Sequence, residues 1–439
     1  MDISVIGAGY VGLVTGVCLA EFGHRVELID INPDRIRLLQ NGVSPIFEPG
    51  IEPMIVRNTE SKRLWFSDTL DGPRLNQCDV IFIAVSTPAS STGDADLSYL
   101  FNAVDQLIPI LSSRTTEYPA VIAIKSTVPV GTNQLVQDRF NTAGLTDKAI
   151  VVSNPEFLRE GAAISDCINP DRIVIGASCP EGFQRMKNIY HSYIARKIPI
   201  LEVSLFAAEH IKYASNAFLA TKISFINELA LLCESTHTDV LEVARGMGLD
   251  PRIGPSFLAP GPGFGGSCFP KDIRALGAVG ACNGLQMKMI ESVEAINHRQ
   301  KQHVITQIQD RIAGIKSPVI AVLGVAFKAN TDDMRDAPSL DILPPLLKRG
   351  IRITAYDPEA ESNAKLIFGD TVQFKSSPLE TATGAHLLLI LTEWNEFFDI
   401  DLYSVKRVME GNLIVDTRRV IDPNVAAAAG FNYYGIGRA

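Results

Sequence analysis

The amino-acid sequence predicts an α/β protein with two doubly wound domains bridged by a long central helix. Short apolar runs alternate with amphipathic stretches up to about residue 200, and the same alternation returns at Pro318. Between these regions, residues 203–235 contain no Pro or Gly and carry apolar side chains at helical spacing. Because alternating strands and helices form parallel sheets with crossover helices, each end of the chain is expected to contain one such sheet.

The predicted strands are the short apolar runs of the two alternating regions. In the first region they cover residues 2–6, 25–29, 80–85, 120–125, 149–153 and 172–176. In the second region they cover residues 319–324, 352–356, 387–391 and 413–415. The predicted domains are therefore a first α/β domain over 1–200, a central helical domain over 201–300 and a second α/β domain over 301–439.

The central helix and the loop behind it separate the two α/β regions. A continuous helix over residues 203–235 would be about 45–50 Å long at about 1.5 Å per residue. Since this is long for a globular protein, we expect the helix to connect domains or to pair with another subunit. The segment 251–266 is rich in Pro and Gly and is expected to be a loop.

The charge and the cysteine pattern exclude several classes of partner. The formal net charge is −9, which disfavours a nucleic-acid partner because the phosphates would be repelled. No apolar run approaches the roughly 18 residues of a membrane helix, and no basic segment of a signal peptide opens the chain. The seven cysteines form no CxxC pair and no zinc spacing. We expect a cytoplasmic protein with reduced thiols, no metal site and no membrane partner.

A glycine-rich turn follows the first predicted strand. The sequence GAGYVG at 7–12 fits the GxGxxG pattern of a Rossmann-like dinucleotide-binding fold. Gly7 allows a tight turn, Gly9 lets the backbone approach a pyrophosphate, and Gly12 lets helix and strand pack closely. Tyr10 and Val11 then lie at the helix N-terminus, where an anion is favoured. A purely structural glycine turn is the alternative.

The residue after the second predicted strand indicates which dinucleotide binds. Asp30 stands there, and a carboxylate at this point can bind the ribose hydroxyls while repelling a 2′-phosphate. Arg35 complicates this interpretation, because a nearby arginine could hold a 2′-phosphate. With Asp30 in place, NAD is the predicted cofactor.

The sequence GFGGSCFPKD at 263–272 predicts a reactive cysteine. Cys268 follows three glycines, and Pro270 suits the first turn of a helix. A cysteine at a helix N-terminus has its thiolate stabilised, and Lys271 adds positive charge. Asp272 would share a helical face with Cys268 and is a candidate base. The alternative is a cysteine that only fills space in a core.

Two further polar groups are ambiguous in the sequence alone. Lys212 and Asn216 lie four residues apart on the central helix, where such a pair is usually solvated, although a lysine and an amide can also stabilise an oxyanion. Glu156 and Glu160 follow a predicted strand, at the edge where ligands bind in parallel sheets. They could equally be carboxylates at the start of a helix.

Together these motifs resemble the UDP-glucose/GDP-mannose dehydrogenase family over essentially the whole chain. The motifs occur in family order and are GAGYVG at 7–12, SPIFEPG at 44–50, STP at 86–88, KSTVPVGT at 125–132, NPEFLREGAAI at 154–164, NPDRIVIG at 169–176, EHIKYASNAFLATKISFINE at 209–228, GPGFGGSCFPKD at 261–272, GVAFKANTDDMRDAPS at 324–339 and DTRRVID at 416–422. The resemblance implies two Rossmann-like domains, a homodimer formed through the long helix, and NAD-dependent oxidation of UDP-glucose to a polysaccharide precursor.

The resemblance also implies a role for each site residue. Cys268 would be the nucleophile, Glu156 the base that hydrolyses a thioester, and Asp272 a group that supports proton transfer. Oxyanion and water would be held by Lys212, Asn216 and Thr127. Contacts to NAD would come from Asp30, Arg35, Thr87, Thr127, Glu160, Lys271 and Arg335. Contacts to the sugar nucleotide would come from Glu156, Phe157, Leu158, Lys212, Asn216, Phe257, Leu258, Gly261, Gly265, Phe327, Lys328 and Arg418, with Arg252 given to the neighbouring subunit.

Three other functions stay open at this point. Sister enzymes of the family act on GDP-mannose or on a UDP-N-acetylhexosamine. A two-electron hydroxyacid dehydrogenase would bind a dinucleotide but would need no cysteine. An inactive NAD-binding protein would be expected to lack Cys268, Lys212 or Asp272, and all three are present.

Overall fold

A computed structural model describes residues 1–70, 74–88, 90 and 95–438. The chain divides into two compact units, Met1–Ser215 and Asn216–Ala439. Each unit contains one mainly parallel sheet with helices around it, so the predicted α/β class is confirmed. The predicted separation of residues 201–300 as a third domain stays a prediction.

Among its described residues, the first unit contains eight strands in the order β3-β2-β1-β4-β5-β6-β7-β8. The strands are β1 (Asp2–Ile6), β2 (Arg25–Ile29), β3 (Leu64–Ser67), β4 (Val80–Ile83), β5 (Ala120–Ile124), β6 (Ala149–Ser153), β7 (Ile173–Ala177) and β8 (Ile200–Val203). The helices are α1 (Tyr10–Glu21), α2 (Pro33–Gln40), α3 (Ile51–Glu60), α4 (Ser98–Ser112), α5 (Thr132–Thr142), α6 (Ala163–Ile168), α7 (Pro180–Ile189) and α8 (His191–Ala195), with a 3₁₀ turn at Leu75–Gln77. The sequence predicted six of these strands and missed β3 and β8.

One pairing in the first sheet departs from the predicted parallel arrangement. Strand β7 runs antiparallel to β6, and β8 runs parallel to β7. Parallel pairing needs a crossover that returns the chain along the whole length of a strand. Residues 154–172, which the structure describes throughout, contain α6 as the only helix between β6 and β7; its six residues span about 9 Å, whereas the five residues of β7 span about 16 Å. The connection is therefore suited to an antiparallel return.

In the part that the structure describes, residues 216–438, the second unit contains six strands, all parallel, in the order β11-β10-β9-β12-β13-β14. The strands are β9 (Val319–Leu323), β10 (Arg352–Tyr356), β11 (Val372–Phe374), β12 (Leu387–Ile390), β13 (Leu413–Asp416) and β14 (Asn432–Gly435). The helices are α10 (Val240–Gly248), α11 (Phe269–Cys282), α12 (Lys288–Ile312), α13 (Pro338–Lys348), α14 (Glu361–Phe368), α15 (Pro378–Ala382), α16 (Asn395–Phe398), α17 (Leu402–Val408) and α18 (Pro423–Ala428), with a 3₁₀ turn at Gly369–Thr371. The sequence missed β11 and β14.

The predicted long helix is present as α9 (Leu205–Ser235), which has 31 residues. It is long and apolar enough to cross a membrane, which was not expected from the sequence, and it is the one helix of that kind among the described residues. Several polar side chains of α9 nevertheless bind other protein groups. Lys212 binds Glu156, and Asn227 accepts from the N–H of Gly261. Such contacts are typical of a helix that lies in a protein core.

Each sheet buries apolar side chains on both faces. In the first unit, Val80 and Phe82 of β4 pack in one core, and Ile81 and Ile83 pack in the other. In the second unit, the strands divide their side chains between two cores in the same way. This alternation follows from the two-residue period of a strand. It leaves the carboxyl ends of the strands, and the loops that follow them, available to bind ligands.

Candidate active site

The glycine turn after β1 forms an open cradle at the start of α1. Gly7 has a φ of +97°, and a Cβ there would lie 2.6 Å from the carbonyl oxygen of Ala84. A Cβ on Gly12 would lie 1.8 Å from the carbonyl oxygen of Gly7, so the turn and the helix touch. A Cβ on Gly9 would meet no atom within 4 Å. Since Gly9 has no side chain to cap α1, the first N–H groups of the helix can receive an anion.

The carboxylate of Asp30, a predicted cofactor residue, is tied to the glycine turn. Its carboxylate accepts from the N–H of Ala8 at 2.8 Å and from the N–H of Asn32 at 2.9 Å. The guanidinium of Arg35 donates to the same carboxylate at 2.9 Å. The structure therefore brings Asp30 and Arg35 together. The negative charge that repels a 2′-phosphate and the positive charge that could attract one are paired with each other.

Tyr10 links the start of α1 to the segment that follows β6. Its hydroxyl donates to the buried carboxylate of Glu48, and it accepts from the N–H of Gly161 at 2.8 Å. Burial, together with the neighbouring Glu48 carboxylate, raises the pKa of Tyr10. Sequence reasoning assigned no role to Glu48, although the residue lies in the SPIFEPG motif. The contact places Gly161, and with it the neighbouring Glu160, beside the glycine turn.

Two predicted cofactor residues meet at the carboxyl ends of β4 and β5. The hydroxyl of Thr87 donates to the carbonyl oxygen of Thr127 at 2.9 Å. The neighbouring strands place these two loops side by side. This is the edge of the sheet at which ligands bind in doubly wound folds.

Glu156 and Lys212 form a buried ion pair in the first unit. Their side chains are 6% and 4% exposed, and the ammonium lies 2.9 Å from the carboxylate. Burial raises the pKa of Glu156, but the charge of Lys212, its hydrogen bond and the N–H of Leu158 together hold this pKa below its ordinary value. The alternatives of a solvated lysine and of a carboxylate at a helix start are wrong, because both groups are buried and α6 begins only at Ala163.

Two cations lie close to the ring of Phe157. The guanidinium of Arg172 lies 3.7 Å from the ring centroid, and the ammonium of Lys212 lies 5.5 Å from it. Contacts of this kind stabilise the cation and fix the ring. The predicted substrate residue Phe157 is thus positioned beside the Glu156–Lys212 pair.

Cys268 of the second unit stands at the start of a helix, as predicted. Helix α11 begins at Phe269, Pro270 lies in its first turn, and the N–H of Asp272 donates to the carbonyl oxygen of Cys268 at 2.9 Å. The carboxylate of Asp272, only 1% exposed, accepts from Asn216 at 2.6 Å and from Lys271 at 2.7 Å. Three predicted site residues are therefore bound to one another one turn from the cysteine.

The glycines before Cys268 allow its loop to contact the loop that follows β9. The N–H of Gly266 donates to the carbonyl oxygen of Arg335 at 2.8 Å, and a Cβ on Gly266 would lie 2.7 Å from the ring of Phe327. A Cβ on Gly265 would lie 2.2 Å from the carbonyl oxygen of Asp336. Any larger side chain would separate the two loops. The predicted residues Gly265, Phe327 and Arg335 are thus brought together.

Gly261 and Arg418 are joined by contacts that the sequence did not reveal. The N–H of Gly261 donates to Asn227 at 2.8 Å, and its carbonyl oxygen accepts from Gln300 at 2.8 Å. The guanidinium of Arg418 donates to the carbonyl oxygen of Phe327 at 2.8 Å. It also lies 3.3 Å from where a Cβ on Gly261 would stand. In the sequence, Asn227 and Gln300 can be recognised as polar side chains on otherwise apolar helical faces.

The remaining predicted substrate residues are more dispersed. Leu258 is buried, Phe257 has a φ of 64° and its ring lies 6.2 Å from that of Phe269. Lys328 places its ammonium 5.4 Å from the centroid of the Phe327 ring. Arg252 is 87% exposed and pairs with Asp250 at 2.6 Å. The described residues contain no group of three His, Cys, Asp or Glu side chains that could hold a metal ion.

Comparison with known proteins assigns a family to each part of the chain. The UDP-glucose/GDP-mannose dehydrogenase family matches in three parts. Its NAD binding domain matches residues 1–194, its central domain matches residues 206–299, and its UDP binding domain matches residues 321–423.

Individual relatives match over the full length. UDP-glucose 6-dehydrogenase from Rhizobium meliloti is 44% identical over 443 residues, which cover 100% of each chain. UDP-glucose 6-dehydrogenase TuaD from Bacillus subtilis is 43% identical over 437 residues, which cover 99% of this chain and 93% of the relative. The solved structure of a UDP-glucose dehydrogenase from the archaeon Pyrobaculum islandicum is 36% identical, with a TM-score of 0.91, and covers 100% of this chain and 98% of that chain.

Proposed function

The chain belongs to the UDP-glucose/GDP-mannose dehydrogenase family, and from that premise we propose that it oxidises UDP-glucose to UDP-glucuronate with NAD as the electron acceptor. The observation that carries the proposal is the match, over essentially the whole chain, to relatives named UDP-glucose 6-dehydrogenase that are 43% and 44% identical. The reaction consumes one UDP-glucose, one water and two NAD⁺, and it yields one UDP-glucuronate with its carboxylate ionised, two NADH and three protons.

The glycine turn and Asp30 would hold NAD in the first unit. The open space at Gly9 and the start of α1 suit a pyrophosphate, and the Asp30 carboxylate suits the ribose hydroxyls. When it is bound, NAD supplies the hydride acceptor for both oxidations. Thr87, Thr127, Glu160, Lys271 and Arg335 are proposed to complete the contacts to the cofactor.

Cys268 is proposed to retain the substrate between the two oxidations. After the alcohol at C6 has become an aldehyde, the Cys268 thiolate adds to the carbonyl carbon and gives a thiohemiacetal. Loss of a second hydride from this carbon leaves a thioester, which water cleaves to the carboxylate and the free thiol. The start of α11 favours the thiolate, and Asp272 is proposed to support the transfer of its proton.

The steps that develop charge are proposed to depend on three residues, Glu156, Lys212 and Asn216. Lys212 and Asn216 lie four residues apart on α9 and so share one face of that helix, where they can stabilise an oxyanion. One such donor contributes about 3 kcal/mol to a transition state. The Glu156 carboxylate, kept ionised by Lys212, is proposed to take the proton of the water that attacks the thioester, with Thr127 holding that water.

The stoichiometry of the reaction tests this proposal. We expect the wild-type protein to form two NADH per UDP-glucose consumed. Cys268→Ser should stop before the acid is released, because a serine cannot form the thioester, and aldehyde or a trapped adduct should be found. Cys282→Ser is the matched control, since this thiol lies on the same helix and is exposed. Formation of UDP-glucuronate by Cys268→Ala at the wild-type rate would show that the covalent step is wrong.

The choice of sugar nucleotide separates this proposal from its rivals. GDP-mannose and a UDP-N-acetylhexosamine are the alternative substrates within the family, and a panel of the three should show the highest kcat/KM for UDP-glucose. A two-electron hydroxyacid dehydrogenase would form a single NADH per substrate. The same assay therefore also tests the class of chemistry.

A homodimer formed through α9 is part of the proposal. Phe218, Phe225 and Leu232 are exposed at intervals of seven residues, so they lie along one face of the helix. We propose that a second copy of the chain covers this face and that residues 201–300 act as a helical dimerisation domain, with Arg252 completing the partner's site. The resemblance and the length of α9 support a soluble dimer in the cytoplasm.

Sedimentation of a variant tests the dimer. Phe218→Glu should shift the protein from dimer to monomer at micromolar concentration, because it places a charge in a buried apolar contact. Phe398→Glu is the matched control, since Phe398 is a comparably exposed phenylalanine on α16. A wild-type protein that sediments as a monomer would contradict the proposal.

A further inference from the structure

We propose that Lys125, Asn154 and Tyr190 form a positioning cluster for Glu156, in which Lys125 also adds a second positive charge beside the Glu156 carboxylate. The inference rests on the proposed role of Glu156 as the base that activates water. None of the three residues was assigned a role from the sequence, although Lys125 and Asn154 each open one of its motifs. Lys125 and Asn154 are buried polar residues at the carboxyl ends of neighbouring strands.

The sheet itself brings Lys125 and Asn154 together. Ile124 at the end of β5 is paired with Ser153 at the end of β6, so the residues after them are next in register. The N–H of Asn154 donates to the carbonyl oxygen of Ile124 at 2.9 Å. The ammonium of Lys125 donates to the side-chain oxygen of Asn154 at 3.1 Å. The segment that carries Glu156 thus begins at a point fixed by β5.

The side chain of Asn154 is held by three hydrogen bonds. Its oxygen accepts from Lys125 and, at 2.6 Å, from the hydroxyl of Tyr190, while its nitrogen donates to the carbonyl oxygen of Val174 at 2.8 Å. Asn154 is 1% exposed, so water does not replace any of these bonds at low cost. Pro155 comes next and restricts the backbone before Glu156. The cluster therefore fixes the backbone segment after β6, and with it the point from which the Glu156 side chain extends.

The charges around Lys125 explain why a lysine stands there. Burial lowers the pKa of Lys125 to about 8, and the charge of Lys212 of α9 also lowers it. Cys167 of α6 and Glu156 have the opposite effect and raise this pKa. Lys125 in turn contributes to the lowered pKa of Glu156. A buried ammonium is costly, and a methionine of similar volume would fill the space more cheaply. The charge of Lys125 adds to that of Lys212 in favouring the ionised form of Glu156.

Removing the charge of Lys125 should change the pKa of Glu156 in one direction, and this change can be measured. A carboxylate that loses a nearby cation becomes less acidic, so the pKa of Glu156 should rise by about one unit in Lys125→Met. The acid limb of the kcat profile should move to higher pH by the same amount, because the base is ionised only above its pKa. Lys125→Arg keeps the charge and should leave the limb near its wild-type position. The KM for UDP-glucose should change less than twofold in both.

Tyr190→Phe separates positioning from charge. It removes one hydrogen bond to Asn154 without altering any charge beside Glu156, so kcat should fall severalfold while the acid limb keeps its position. An unchanged kcat in Tyr190→Phe would overturn the positioning role. This variant also keeps the proposal testable if Lys125→Met does not fold. Lys316→Met, at an exposed lysine, is the control for a general loss of charge.

A titration of Glu156 that needs no activity completes the test. The side-chain carboxyl of Glu156 can be followed by ¹³C NMR in glutamate-labelled protein and assigned by the signal that Glu156→Gln lacks. A rise of its pKa in Lys125→Met, and none in Lys316→Met, is the expected result. An unmoved pKa would overturn the inference even if the enzyme forms two NADH per UDP-glucose. Conversely, failure to form two NADH would overturn the proposed function and leave this titration readable.

Discussion

The two sheets of this protein share a strand order and a glycine turn. They differ in the groups that follow the turn and could bind a ligand. Six strands of the first unit and the six described strands of the second have the same order. In both, the first strand is followed directly by a glycine of positive φ, +97° at Gly7 and +80° at Gly324, whose N–H donates to the carbonyl oxygen of the last residue of the second strand. In both, an aspartate stands after the second strand and accepts from the turn, Asp30 from Ala8 and Asp357 from Val325.

The two units differ in the segment that comes directly after the shared turn. In the first unit α1 begins at Tyr10, directly behind the glycines, so a helix N-terminus faces the turn. In the second unit α13 begins only at Pro338, and the intervening loop carries Lys328 and Arg335. The same fold can thus bind phosphate groups through backbone N–H groups or through cationic side chains. The strand order alone therefore does not decide how a nucleotide is recognised.

The largest effect that would test this comparison is expected at Gly9. Gly9→Ala adds a methyl group where no protein atom lies within 4 Å, so the free energy of unfolding should change by less than about 1 kcal/mol. The methyl group would occupy the space proposed for the pyrophosphate, and we expect the affinity for NAD to fall on the order of 100-fold. Calorimetric titration with NAD and urea unfolding measure the two quantities.

Two contrasting glycines serve as controls for Gly9. Gly12→Ala would place a methyl group 1.8 Å from a backbone oxygen and should unfold the first unit. Gly324→Ala in the second unit meets Thr392 at 2.3 Å and has a positive φ, so it should destabilise that unit while the intrinsic affinity for NAD is kept. An unaltered affinity in Gly9→Ala would show that the pyrophosphate does not bind at this turn.

The fold could be predicted from the sequence wherever strands are buried on both faces. All ten predicted strands are present within two residues of their expected bounds. The four missed strands, β3, β8, β11 and β14, are the edge strands of the two sheets. An edge strand has a neighbour on one side and mixes buried with exposed positions, as Val372–Phe374 does. Its apolar pattern is therefore too weak to separate it from a loop.

The site could be predicted where a residue type and its local context suffice. Cys268 before Pro270 and the glycines of the first turn needed no knowledge of distant contacts. The burial of Lys125 and of Asn154 depends on the pairing of β5 with β6, which neighbouring residues in the sequence do not reveal. The ion pair of Glu156 with Lys212 likewise joins residues far apart in the chain. Such polar groups were ambiguous until their partners were known.

The smallest expected effect distinguishes the two aspartates that stand after the second strand of each sheet. Asp30→Asn keeps an oxygen that can accept from Ala8 but removes the charge that is paired with Arg35. The released guanidinium could then attract a 2′-phosphate, so the preference for NAD over NADP, measured as a ratio of kcat/KM values, should fall about tenfold. The kcat with NAD should change little.

Asp357→Asn is the matched change in the second sheet. Asp357 accepts from Val325 and Ala326 through one oxygen and from Glu359 and Ala360 through the other, so the substitution should cost stability, by about 1–3 kcal/mol in urea unfolding. The ratio of NAD to NADP use should stay at its wild-type value, because no cofactor is proposed to bind this turn. A change of that ratio in Asp357→Asn would mean that the two turns are not divided between cofactor binding and structure, and that recognition of the dinucleotide in the second unit extends beyond Lys271 and Arg335 to the turn beside Asp357.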